Sequence, residues 1–350
     1  MACYATPPKG RARGLDLPPV VEIERISRFP LFSHFAPQQI ERLAGALEAR
    51  EVGAGELVLR QGDSGREAYV VDAGHVRIQR ATPYGLFPLA QLDAGDLFGE
   101  AGFVDAAARS GDALATTRST LLVLRHEDVA SALERDPRLA MALYWSFWRS
   151  LSIKLRRTNE KLVRFFAQGP PEARTGGPGD RVSSGDFRID LSAKRNLFTE
   201  QKLSSLEINF LTSLSREKKL KPGEVLFREG DPGDAMYVVL DGRVRISKMI
   251  PGAGEEALAI LERGDYFGEM ALIDQQPRSA LAKAHDGGAV VLAIPEEVVG
   301  GLLDMRKVSS LRLLHILCGL VAKRLREIDD KLVGWFILAG GNWPAGGFSL

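Results

Sequence analysis

The segment FGEMALIDQQPRSA, Phe267–Ala280, has a twin earlier in the chain, FGEAGFVDAAARSG, Phe98–Gly111. Each opens with a glycine and a glutamate, and an arginine stands nine residues after the glutamate: Gly268, Glu269 and Arg278 against Gly99, Glu100 and Arg109. The match extends upstream. LRQGDSGREAYVVDAGHVRIQR from Leu59 aligns with FREGDPGDAMYVVLDGRVRISK from Phe227, pairing Gly62 with Gly230, Gly65 with Gly233 and Gly74 with Gly242. It extends downstream as well, where KLRRTNEKLVRFF from Lys154 aligns with RLREIDDKLVGWF from Arg324. The offset grows from 168 to 170 residues along the way, as small loop insertions would make it. The chain therefore holds two copies of one structural unit.

Within each copy the order of patterns is the same. IERLAGAL from Ile40 and INFLTSL from Ile208 carry apolar residues at helical spacing. Short β-branched runs such as YVV and HVRIQ follow, punctuated by Gly and Asp at the interval of an antiparallel barrel or jelly roll. Long helices rich in Leu, Ile and Lys/Arg close the copies at Met141–Phe166 and Ser309–Phe336. The expected fold class is mainly β with flanking α: two jelly-roll-like β-rolls, each with an N-terminal helix and a long C-terminal helix. The expected divisions are a tail 1–28, a first domain 29–166, a linker 167–196, a second domain 197–336 and a tail 337–350. QGPPEARTGGPGDRVSSGD, Gln168–Asp186, is rich in Pro, Gly and Ser and nearly free of apolar residues, as a flexible linker would be.

Bulk properties narrow the function. The 350 residues suffice for two cores, and 45% apolar with 26% charged residues is ordinary for a globular protein. A net charge of +1 gives no general attraction to nucleic acid or anionic membrane, and neither is expected as a partner. The N-terminus lacks the apolar core of a secretory signal, and Cys3 and Cys318 lie at opposite ends, so a cytoplasmic location is expected. No metal site is expected, because His34, His75, His126, His285 and His315 are scattered without ligand spacing. That argues against a metal-dependent barrel enzyme, and the chain is read as a non-enzyme.

The duplicated segment has its own chemistry. Gly lets the backbone turn tightly and approach a ligand closely. EMALID, Glu269–Asp274, reads as one short helical turn whose free N–H groups suit a phosphate. Arg278 adds charge and a planar donor fork, and Glu269 is an acceptor suited to a ribose hydroxyl. Together they describe a nucleoside monophosphate pocket.

These residues resemble the phosphate-binding cassette of cyclic-nucleotide-binding domains, as in regulatory subunits of cyclic AMP-dependent protein kinase and the bacterial catabolite activator protein. The likeness covers about 31–166 and 197–336. It implies that Glu100 and Glu269 bind the ribose 2′-OH and that Arg109 and Arg278 pair with the cyclic phosphate. It also implies that Phe98, Gly99, Ala101 and Ser110, with Phe267, Gly268, Met270 and Ser279, complete the contacts. The second cassette is nearer the family pattern. The first has Ala108 where Pro277 stands, Gly111 for Ala280, and Gly102 inside the short helix.

In the activator proteins a Thr-Ser-Glu-Lys run on the closing helix reaches the base. The resemblance places Thr158 and Asn159 there for the first site and Asp329 for the second. An Asn amide donates and accepts, as adenine requires; Asp329 accepts only, taking an adenine amino proton or two donors from guanine. Cyclic AMP is the expected ligand of both sites, with cyclic GMP the alternative at the second and no further cofactor. Phe165, Phe166, Trp335 and Phe336 either lie over a base or hold helices together, the commoner role.

The two closing helices are expected to pair, giving either a monomeric pseudo-dimer or a homodimer through those helices. After Phe336 only ILAGGNWPAGGFSL remains, too short for a helix-turn-helix, so the expected output is an unidentified protein effector acting in trans. A tandem pair resembles kinase regulatory subunits, although RARGL and RISRF match an inhibitor sequence poorly. A non-binding scaffold is the opposing possibility.

Overall fold

The computed structural model describes residues 22–168, 213–250, 254–302 and 311–341. The first copy opens with α1 (Ile23–Ser27), a 3-10 turn at Pro30–Phe32 and α2 (Pro37–Ala44). Arg25 and Arg28 tie this entry to the buried carboxylate of Asp72. The helix expected from Ile208 lies outside the described residues, as do Trp343 and all of the linker except Ala167 and Gln168, which prolong a helix.

Eight strands form the first roll: β1 (Leu47–Val52), β2 (Leu57–Leu59), β3 (Glu67–Ala73), β4 (Val76–Thr82), β5 (Gly85–Leu92), β6 (Leu97–Phe98), β7 (Asp112–Ala115) and β8 (Ser119–Arg125). They make two antiparallel sheets, in the orders β1-β8-β3-β6 and β2-β7-β4-β5. In the second copy the corresponding strands run through without a break. β11 (Ala235–Ile250) joins what β3 and β4 keep apart, and β14 (Leu281–Pro295) joins the counterparts of β7 and β8. With β9 (Arg216–Leu220), β10 (Val225–Phe227), β12 (Gly254–Leu261) and β13 (Tyr266–Phe267) they form one six-stranded sheet. Register shifts at Val239/Asp241 and Gly242/Arg243 bend it where the first roll divides in two.

Between β6 and β7 lies α3 (Glu100–Asp105), and its counterpart after β13 is α6 (Met270–Asp274). After the rolls come α4 (His126–Arg135) and α5 (Pro137–Gln168) in the first copy, and α7 (Glu296–Leu302) and α8 (Leu311–Leu338) in the second. Asp136 starts α5 by accepting from the amides of Arg138 and Leu139, both at 3.1 Å, with Pro137 at the first helical position.

α5 and α8 are packed on each other and run in the same direction. Tyr144 meets His315, and its carbonyl accepts from Cys318; further along, Lys161 and Asp329 border one cavity. α8 buries Leu313, Leu314, Leu317, Cys318, Val321, Ala322, Ile328 and Leu332, a stripe of three-to-four spacing. This seam is continuous with the cores of both rolls, through Trp148 and Phe147 on one side and Met236 and Leu292 on the other. Among the described residues no helix is long and apolar enough to cross a membrane.

Candidate functional site

Each cassette begins with its glycine in the left-handed region, φ 78° at both Gly99 and Gly268. Only glycine fits, for a second reason: a Cβ on Gly268 would lie 2.8 Å from Nη1 of Arg278, and one on Gly99 would lie 2.7 Å from the Glu67 carbonyl. The turn releases its carbonyl to the arginine. Arg109 Nη1 donates to Gly99 O at 2.9 Å, and Arg278 Nη1 to Gly268 O at 2.8 Å. The arginine backbones are fixed just as symmetrically on the glycine-rich turn. Gly62 N donates to Arg109 O at 3.0 Å and Gly230 N to Arg278 O at 2.9 Å.

The second guanidinium nitrogens differ between the copies. Both Nη2 atoms donate to the carbonyl of a matched residue, Glu67 at 3.0 Å and Ala235 at 2.8 Å, but the carboxylate partner is Glu67 itself at 2.6 Å for Arg109 and Asp234 at 3.3 Å for Arg278. Arg278 also lies over the Phe227 ring at 4.4 Å, and its buried Nε has no hydrogen-bond partner among the described residues. Gly102, which departs from the second cassette, makes room for Arg109: a Cβ there would lie 2.8 Å from its Nη1.

Both glutamates are buried and held by a cation from the closing helix of their own copy. Lys154 pairs with Glu100, which also accepts from Ser150 Oγ at 2.9 Å; Arg324 pairs with Glu269 at 3.2 Å. Lys154 and Arg324 occupy matched positions in KLRR and RLRE, so a signal for them was present in the aligned repeats.

A cavity of about 440 Å³ borders Glu100, Arg109 and Ser110, together with Phe98, Gly99 and Ala101. That is the size range of small-molecule sites. Its counterpart, bordered by Phe267, Gly268, Glu269, Met270, Arg278 and Ser279, measures about 70 Å³. The copy nearer the family pattern thus holds the tighter space, where Ile328 stands at the position of Thr158 and Arg324 crosses to Glu269.

The residues assigned to the base are redistributed. Thr158 borders the first cavity, as the sequence implied, but Asn159 borders the second and Asp329 the first. The expectation of Asn159 at the first site and Asp329 at the second is therefore corrected. The cause is the parallel pairing of α5 and α8, which turns adjacent residues of one helix toward opposite rolls. Leu325 accompanies Asp329 into the first cavity, and Leu155 accompanies Asn159 into the second.

The same crossing ties each cassette helix to the other copy. Arg156 on α5 holds Asp274 at the end of α6 with bonds of 2.7 and 3.1 Å and reaches Pro277 O at 3.1 Å. Reciprocally, Arg326 on α8 pairs with Asp105 at the end of α3. Phe336 packs on Phe87 with ring centroids 4.8 Å apart and borders neither cavity, which is the packing role. The side chains of Phe165 and Phe166 lie outside the described residues. Burial raises the Asp329 carboxyl to about 7, against the pull of Arg80, Lys161 and Lys154. No cluster of metal-ligating side chains occurs among the described residues.

Each roll thus sets a glycine-rich turn, a buried glutamate and a buried arginine at the edge of a cavity. The cyclic nucleotide-binding domain family matches residues 49–136 and 217–306, more than half of the chain, and the protein belongs to that family. It is similar to the cyclic AMP receptor protein of Thermus thermophilus, 33% identical over 130 residues, covering 37% of this chain and 58% of that one. It is also similar to the cAMP-dependent protein kinase regulatory subunit of Dictyostelium discoideum, 26% identical over 275 residues, covering 76% of this chain and 70% of that one. A cGMP-dependent protein kinase of Caenorhabditis elegans is 23% identical over 281 residues, and the match spans only 30% of its length. The regulatory domain of Toxoplasma gondii PKA, solved with cAMP, is 19% identical with a TM-score of 0.31, covering 81% of this chain and 93% of that one.

Proposed function

We propose that this protein is a two-site cyclic-nucleotide receptor, not an enzyme, which signals to a protein partner in trans much as a kinase regulatory subunit does. The observation that carries the reading is the buried Glu–Arg pair beside a cavity in both rolls, with Arg278 Nε left unpaired. A buried guanidinium N–H without an acceptor is costly, and a cyclic phosphate would supply the acceptor. Cyclic AMP is the ligand proposed for the second cavity. There the buried Asn159 Oδ1 has no partner among the described residues, and its amide matches the donor and acceptor of adenine.

In this reading the domains are 29–166 and 197–336, and the chain acts in the cytoplasm as a monomeric pseudo-dimer through α5 and α8. Phosphate binding draws the arginine and the short cassette helix inward, and the ribose displaces Lys154 or Arg324 from its glutamate. The clamps Arg326–Asp105 and Arg156–Asp274 then pass the movement to the other copy. Transmission requires that the ligand favour the closed state over the open one.

Isothermal titration with cyclic AMP, cyclic GMP and a cyclic dinucleotide, alongside the native mass, tests the proposal. Two equivalents of a cyclic mononucleotide per monomer are expected. Ligand at 100 times its Kd should add about 2.7 kcal/mol of stability. Absence of heat and of any thermal shift with every nucleotide would leave the scaffold reading instead.

A further inference from the structure

We propose that the first cavity reads a guanine-type base, one presenting two adjacent N–H donors, through Asp329 supplied by the second copy. The inference rests on the reading of both cavities as cyclic-nucleotide sites. Asp329 sits on α8 between Ile328 and Leu332 of the apolar seam, is 7% exposed, and borders the first cavity. Its carboxylate has no hydrogen-bond partner among the described residues. Helix packing does not call for a carboxylate there, because the matched position of α5 carries the neutral Asn159.

The nearby cations are engaged with other acceptors. Arg80 of β4 binds the Ser110 carbonyl and Asp330, Lys161 binds the Leu89 carbonyl, and Lys154 binds Glu100 and the Leu97 carbonyl. Burial raises the carboxyl to about 7 against the pull of these cations, so at pH 8 it is ionised with both oxygens available. An ionised carboxylate only accepts. Adenine would offer it one amino donor beside a ring-nitrogen lone pair, so an attraction would stand next to a repulsion. Guanine offers N1–H and the 2-amino group side by side, and both donate to the two oxygens in the bidentate manner of a guanidinium. The two cavities of one chain therefore differ in the base they select.

The test is titration of the full chain at pH 8, with Arg278→Ala to silence the second cavity and Arg109→Ala to silence the first. At the first cavity cyclic GMP is expected to bind at least about 10-fold tighter than cyclic AMP, the effect of one charge-assisted hydrogen bond. Cyclic IMP, which lacks the 2-amino group, should fall between them. Asp329→Asn, nearly isosteric, should erase the preference for cyclic GMP at the first cavity and leave the second unchanged. Tighter binding of cyclic AMP at the first cavity, or a ratio unmoved by Asp329→Asn, would overturn the assignment. The comparison of cyclic GMP with cyclic IMP uses the wild-type first cavity, so equal affinities would overturn it even if the variant failed to fold. Failure of every cyclic nucleotide at both cavities would instead refute the receptor reading itself.

Discussion

Asp329→Asn should change how stability depends on pH. The carboxyl is buried in the α5–α8 seam, and desolvation raises it from 3.8 to about 7. A carboxyl raised on folding binds its proton more tightly in the folded chain. Its contribution is full below pH 3.8 and is lost as pH climbs through about 7. The shift corresponds to about 4 kcal/mol across that window, at about 1.4 kcal/mol for each pH unit. The assay is denaturant unfolding of the ligand-free wild type and Asp329→Asn at matched pH values from 4.5 to 8.5. Subtracting the two profiles cancels groups common to both, among them His34, His126 and His315, whose ring nitrogens burial pushes below their ordinary value. The wild type should lose ground against the variant as pH rises to about 7 and hold level above it. Parallel profiles would mean that the carboxyl is solvated or paired in the folded chain, and the burial argument would fail.

Three other outcomes follow from the site. Arg278→Ala should lower ligand stoichiometry from two to one by removing charge-assisted bonds to the phosphate, about 100-fold or more in affinity at the second cavity, with the fold retained by circular dichroism. A double-mutant cycle between Arg156→Ala and Asp274→Ala should return a coupling of about 1–2 kcal/mol in unfolding free energy, because the pair is bidentate and mostly buried; a value near zero would deny the clamp. Gly268→Ala should cost about 1–3 kcal/mol in thermal unfolding, since φ is 78° and the new Cβ meets Arg278 Nη1 at 2.8 Å.

Much of this arrangement was legible in the sequence, because duplication turns one chain into its own alignment. The glycine-rich turns, the cassettes and the closing helices all appear as matched pairs, and the structure places each near its expected bounds. The clamps were legible in hindsight: Arg156 with Arg326, and Asp105 with Asp274, are matched positions in the aligned stretches. Which roll each helix face would meet was not legible. Adjacent residues such as Thr158 and Asn159 point to different cavities only because α5 lies parallel to α8, and no local pattern encodes that pairing. Cavity size escaped as well, because it depends on Ile328 and Arg324 closing the second site from a helix far away in sequence.

The crossed helices also bear on how such a chain can diverge. A dimer of two first halves would place Thr158 and Asn159 at both sites, and a dimer of two second halves would place Ile328 and Asp329 at both. Fusion in one chain yields two mixed combinations that neither ancestor-like dimer can build, Thr158 with Asp329 and Ile328 with Asn159. A substitution at position 329 therefore alters the lining of the first cavity, and one at 159 that of the second. Each half carries part of the wall of the other's cavity, and separating the halves would leave both cavities with a wall missing.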